Sequence, residues 1–424
     1  MIEKTVSKIL RRRTLLAGLV LCSLMILSAA PKSFAESYAS KNQAFATAKI
    51  VSAHTQFAFK LYQKLLEETP DKNLFISPTS ISLALAMAYN GAGGETQKAM
   101  AQALDLDDLS REEINQESFA LQQHLKSIDP KIELDIANSL WANSNRKTGG
   151  MFSSDFIQES RAYYDAEVRA LDFNQPESLG TINDWITEKT KGKINHVLSD
   201  IRRNIFLLID AVYFKGKWTR TFDKSLTKEG PFTLLDGREE KRPRMSQSGA
   251  YAYYRGNDFQ AVRLPYGDKK VSMLIFLPDK QNGLTEFERN LTAENWEKWM
   301  RGFGFEDGDI VIPRFKMGYG DTLNKALEQL GMGVVFSNGA DFQRMFLPRV
   351  KIEKVIHKAI LEVDEEGTTA AAVTVIGGAR ASMASPYETK HFAMIMDHPF
   401  FCAIRDDTTG EILFMGSVLD PKGE

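Results

Sequence analysis

The chain has 424 residues, 43% of them hydrophobic and 25% charged, ordinary globular proportions that exclude disordered and fibrous classes. Its formal net charge of −2 leaves no basic footprint for nucleic acid at the level of composition. The length admits one large domain or two to three of average size.

The first 35 residues read as a signal peptide. Lys4, Lys8 and Arg11-Arg12-Arg13 form a positive region, and an apolar run of 13 residues follows from Leu15 to Leu27, short for a membrane span. Ser33-Phe34-Ala35 sets small residues where a signal peptidase reads, so cutting is expected after Ala35. Arg12-Arg13 also fits a twin-arginine leader, although basic leaders contain such pairs by chance. Removing residues 1–35 takes away six of the 53 Lys and Arg and one of the 55 Asp and Glu, leaving 47 against 54. Of the two cysteines only Cys402 then remains, so the mature chain forms no internal disulfide and relies on a large packed core. In its apolar setting after Phe400-Phe401, Cys402 reads as a small buried hydrophobe.

Residues 36–44 are polar and read as a disordered tail, and residues 45–424 as one domain. A helical pattern starts near Phe45, with Phe57, Leu61 and Leu65 four apart, and stops before Pro70. Asn73 to Ile76 is a short strand. Ser77-Pro78 opens a second helix, Thr79 to Tyr89, apolar on nearly all sides and therefore buried, and Gly91-Ala92-Gly93-Gly94 ends it. Ile205–Phe214 and Val271–Leu277 are uninterrupted apolar runs of the kind central strands show, Val355–Val363 is a third strand, and Phe400–Ile404 with Ile412–Met415 forms a closing hairpin. Helical patterns lie at about Ile182–Val197 and Leu323–Leu330. Strands and helices mix without strict alternation, which indicates an α+β fold.

The common catalytic signatures are missing. The chain has no Gly-x-Ser-x-Gly elbow, no His-Glu-x-x-His and no phosphate loop. One mature cysteine excludes a cysteine-based zinc site, and the six histidines show no ligand spacing.

The informative stretch is Glu365-Glu366-Gly367-Thr368-Thr369-Ala370-Ala371-Ala372-Val373-Thr374 and its continuation to Pro386, which from Gly367 onward carries one charge, Arg380. Thr, Val and Gly oppose a helix. A flexible linker is usually more polar. The other fate is a strand that is not always in a sheet. Alternation puts Thr368, Ala370, Ala372 and Thr374 on one face, all small enough to enter a tight core, and Gly367 gives the backbone a swivel.

Glu365 to Thr374 resembles the hinge of inhibitory serpins. Asn73–Ile81, Asp210–Trp218, Val355–Ala359, His398-Pro399-Phe400 and Ile412–Gly416 are similar, in the correct order, to that family's other signatures. The chain is thereby identified as an exported bacterial member of the inhibitory type, secreted or periplasmic.

The resemblance implies three β-sheets, eight to nine helices and an exposed reactive-centre loop at about residues 365–390. It implies an irreversible suicide-substrate inhibitor of serine-type endopeptidases, not an enzyme. The protease cuts the loop, and the freed hinge enters the central sheet as a new strand. A non-inhibitory serpin, acting as carrier or chaperone, is the alternative; such members often have bulky or charged hinges, whereas here the hinge is small throughout. Counting seventeen residues from Glu365 puts the reactive bond at Ala381-Ser382, which suits an elastase- or subtilisin-like protease. Arg380-Ala381 would suit a trypsin-like one, and Met383-Ala384 is a third register.

Ser77, Ser80, Asp210, His357 and Trp218 match positions that govern sheet opening. Asp210 stands where serpins usually have Asn, and Thr369 where Glu is frequent. The expected protein is a monomer without metal or cofactor, binding neither nucleic acid nor, after signal cleavage, membrane. The acidic balance of residues 109–128 argues against activation by sulphated polysaccharide.

Overall fold

The computed structural model describes residues 47–144, 150–195, 197–202, 204–368 and 391–422. The signal peptide, the polar tail, Thr369 to Ala372 and all three registers of the reactive bond lie outside the described residues.

Two sheets and a separate two-stranded ribbon organise the rest, with nine α-helices among the described residues. The central sheet has six strands in the order Phe315–Thr322, Lys354–Val363, Gly367–Thr368, Phe206–Lys217, Ile132–Asn143 and Glu167–Leu171. The second, nine-stranded sheet holds Val271–Pro278 beside the closing hairpin Phe400–Asp406 and Ile412–Val418. The three sheets and nine helices among the described residues match the α+β architecture that the resemblance implies.

The apolar run Phe206–Phe214 follows from its place in the middle of the central sheet. One face meets the large core, through Phe206, Leu208, Val212 and Phe214. The other meets a smaller cluster in which Leu207 and Ile209 pack with Trp141, Ile182, Ile186 and Ile356. Burial on both faces removes the polar alternation of a one-sided strand. Val271–Leu277 is equally buried, but it belongs to the other sheet.

The buried second helix spans Pro78–Gly91, and all fourteen residues are shielded from solvent. Ser77 caps it by accepting the Ser80 N–H at 3.3 Å, and Pro78 supplies the preset φ of a first helical position. The helical pattern at Ile182–Val197 needs correction. The helix runs from Pro176 to Lys189, because Lys191 at φ 51° and Gly192 at φ 77° turn the chain left-handed.

Candidate functional site: the seam and its hinge

Two parallel strands meet at the middle of the central sheet. Lys354–Ile360 pairs with Leu207–Tyr213 over seven consecutive positions, including His357 opposite Asp210. Above that the strands part, and Gly367-Thr368 sits between them, Thr368 opposite both Val363 and Gly216, and Gly367 opposite Lys217. The seam is thus closed along its length and opened at its head by the first two residues of the small-sided run.

A tight turn delivers that segment. Asp364 donates its N–H to the Gly367 carbonyl at 2.9 Å, and its Oδ1 accepts from the N–H groups of Glu366 and Gly367 at 2.8 and 3.1 Å. Burial pushes the Asp364 carboxyl above its ordinary range, against those two N–H donors. Gly367 has φ +151°, and a Cβ there would lie 2.1 Å from the Gly216 carbonyl oxygen, so only glycine fits. Thr368 is fully buried, and its hydroxyl shares a 2.8 Å hydrogen bond with the Tyr266 hydroxyl. This is the inward direction that alternation assigns to Thr368.

The two hinge glutamates are held rather than solvated. Lys224 donates to Glu366 at 2.6 Å, an interaction that raises the Lys224 pKa, and Thr227 donates to Glu365 at 2.7 Å. The backbone carbonyls of Glu366 and Glu365 accept from Trp218 and Phe222 at 2.9 and 2.8 Å. Trp218 also donates its indole N–H to the Asp364 carbonyl at 2.9 Å and stacks on Tyr266 with ring centroids 4.4 Å apart.

Ser77, Ser80, Asp210 and His357 come together lower on the seam. The Ser77 N–H donates to His357 Nε2 at 3.1 Å, which fixes the imidazole proton on Nδ1, and Nδ1 donates to Asp210 Oδ2 at 2.6 Å. Ser80 donates its hydroxyl to Asp210 Oδ1, and Ser77 donates its own to the Leu413 carbonyl at 2.6 Å. The cluster is at most 1% exposed and ties the helix Pro78–Gly91, the hairpin and both seam strands together. Trp218, the fifth residue matched to sheet opening, sits apart from these four, at the hinge seat. Sequence reasoning missed Tyr266, Asp364, Lys224 and Thr227. Asp364, next to the hinge, was the one within reach; the others are distant in sequence and carry no motif.

A sheet closed over its own seam, with a spare strand started at the head, defines a protein poised to take up more chain. Comparison identifies the class: a model of the serpin (serine protease inhibitor) family matches residues 52–421. The chain belongs to the serpin family and is a serine protease inhibitor, not an enzyme. The leukocyte elastase inhibitor of Sus scrofa is 34% identical over 387 residues, covering 88% of this chain and 100% of the relative. Serpin B6 of Pongo abelii is 35% identical over 385 residues, covering 88% and 99%. Among solved structures, the thermophilic serpin tengpin in its native state matches with a TM-score of 0.80 at 30% identity, over 88% of this chain and 94% of that one. A thyroxine-binding globulin in complex with thyroxine matches with a TM-score of 0.79 at 28% identity, over 88% and 100%. Fold likeness therefore extends to a serpin that binds thyroxine.

Proposed function

We propose that this chain, exported from a bacterial cell after loss of residues 1–35, traps elastase- or subtilisin-like serine proteases by offering Ala381-Ser382 as bait. The protease forms an acyl-enzyme at the bait bond, and the freed segment from Gly367 onward enters the seam before deacylation. The observation that carries this reading is the seating of Gly367-Thr368 between Val363 and Gly216. The register for further entry is thereby started, and Thr368 points inward. Continued past Thr368, that register would set Thr374 opposite both Asp210 and His357. Its hydroxyl would then replace the bond that insertion must part.

Insertion exchanges the seven-position parallel ladder for two antiparallel ones. About 15 entering residues gain roughly a dozen backbone hydrogen bonds, each worth about 1 kcal/mol net, before burial of the inward face is counted. The intact molecule is therefore held by a kinetic barrier, not by being its most stable form.

The test is incubation of the mature protein with elastase-, subtilisin- and trypsin-like proteases, followed by denaturing gels and sequencing of the released peptide. A denaturation-resistant complex with release at Ser382 is expected. Release at Ala381 would move the cut to Arg380-Ala381 and the preference to trypsin-like enzymes. Cleavage without complex would support a non-inhibitory carrier or chaperone.

A further inference from the structure

The loop re-enters the described fold at His391, the first residue of the edge strand His391–Ile395. That strand runs parallel to Gly304–Pro313, with His391 opposite Asp307. Phe305 lies two residues further back on the same strand, about 7 Å from this anchor toward the N-terminal end of the two parallel strands. At 84% exposure it is the most exposed large hydrophobic side chain among the described residues.

Its surroundings are flat. Phe305 and Asp307 share the outward face of their strand, opposite Ala252 and Ala250 of the neighbouring strand. The aromatic ring therefore projects from small residues, beside a carboxylate. Asp307 makes no ion pair among the described residues. Asp309, next on that face, is already matched by His391 at 2.9 Å and by the Ser248 hydroxyl, which hold its carboxyl below the usual range. Among the described residues the ring is unshielded and the carboxylate beside it unmatched, at the point where the chain re-enters the described fold.

We infer that Phe305 and Asp307 form a docking surface for the body of the target protease, outside the loop itself. The inference rests on the inhibitor reading above. From Ser382 to Lys390 the loop has nine residues, which span at most about 30 Å. A protease of about 220 residues has a radius of gyration near 17 Å and a breadth of about 45 Å. Half that breadth is about 22 Å, so its rim reaches the anchor when the loop holds the bait bond within that distance, short of full extension. Protease–inhibitor interfaces bury about 800 Å² on each partner, which calls for contacts beyond the loop. The partner surface that fits is an apolar patch beside a basic side chain.

The test is the association rate constant of wild type, Phe305→Ala and Asp307→Asn with each protease that the wild type traps, together with inhibition stoichiometry and melting temperature. Phe305→Ala slows association about 5-fold or more with at least one of them, the size of an interface contact worth about 1 kcal/mol. Asp307→Asn slows it about 2-fold at low salt, and that effect disappears at high salt. Stoichiometry and melting temperature stay at the wild-type values in both, since neither side chain is buried. An unchanged Phe305→Ala rate with every trapped protease overturns the docking surface and leaves the inhibitor reading standing. The same unchanged rates alongside a concentration-dependent dimer lost in Phe305→Ala would assign the patch to a second copy and likewise overturn it. A wild type that traps no protease removes the inhibitor reading, and this inference with it.

Discussion

Asp210 and His357 face each other across the closed seam, with Oδ2 of the carboxylate 2.6 Å from Nδ1 of the ring. Every strand that enters must pass between them. A charge-assisted bond is worth about 1.5–3 kcal/mol net, against about 0.5–1.5 for a neutral one. Asp210→Asn therefore loosens the seam by about 1 kcal/mol, speeds inhibition, and lowers the melting temperature of the intact form by about 1–2 °C. Inhibition rates and melting temperatures that are the same for wild type and Asp210→Asn would discard this account of the seam.

Thr368 is the first inward residue of the entering strand, fully buried against the Tyr266 hydroxyl. An arginine there has to bring a charge into this seat while insertion races deacylation. Thr368→Arg should yield mostly cleaved inhibitor and little covalent complex, read on denaturing gels as the ratio of the two bands. Undiminished complex would show that the seat does not gate entry.

The parts of this molecule that were legible in the sequence are those buried on all sides. Phe206–Phe214 and the helix after Ser77 are uninterrupted apolar stretches because protein covers every face of them. The strand Glu239–Arg255 was not legible, since its polar, half-exposed residues follow no apolar period and pairing alone makes it a strand. The cluster of Ser77, Ser80, Asp210 and His357 was nominated through motif matches, but its hydrogen bonds join segments up to 336 residues apart, through Ser77 and Leu413. Trp218 lies apart from the other four for the same reason. Its motif continues directly from Asp210, yet eight residues of extended chain carry it to the hinge seat.

Glu288 supplies a separate pH dependence in the core. Burial pushes its carboxyl up to about 7, despite the hydrogen bond it accepts from Ser417, whose hydroxyl also bonds Tyr62 at 2.6 Å. A carboxyl with a raised pKa binds its proton more tightly when folded. Its contribution to stability is thus fully present below the ordinary carboxylate range and lost as pH rises through 7. The loss amounts to about 3 kcal/mol, or about 4 °C in a protein of this size. Thermal scans at one fixed rate should show the wild type falling between pH 5 and 8, and Glu288→Gln falling less by about that amount. Identical pH profiles would mean that Glu288 is solvated in the native form.

The strongest test of the spare strand is to cut the bait loop without letting a protease stay bound. A metalloprotease, which attacks with water and forms no acyl-enzyme, that clips between Arg380 and Pro386 leaves the segment after Gly367 free at its far end. If the seam then accepts that segment, the new hydrogen bonds and buried inward face add of the order of 10 kcal/mol. For a domain of about 380 residues that raises the melting temperature by about 10 °C or more. The Trp218 emission should shift as well, because its indole donates to Asp364 at the root of the moving segment. A clipped protein that melts where the intact one does would hold no stored strand. The closed seam from Lys354 to Ile360 would then be the molecule's most stable arrangement and not a set trap.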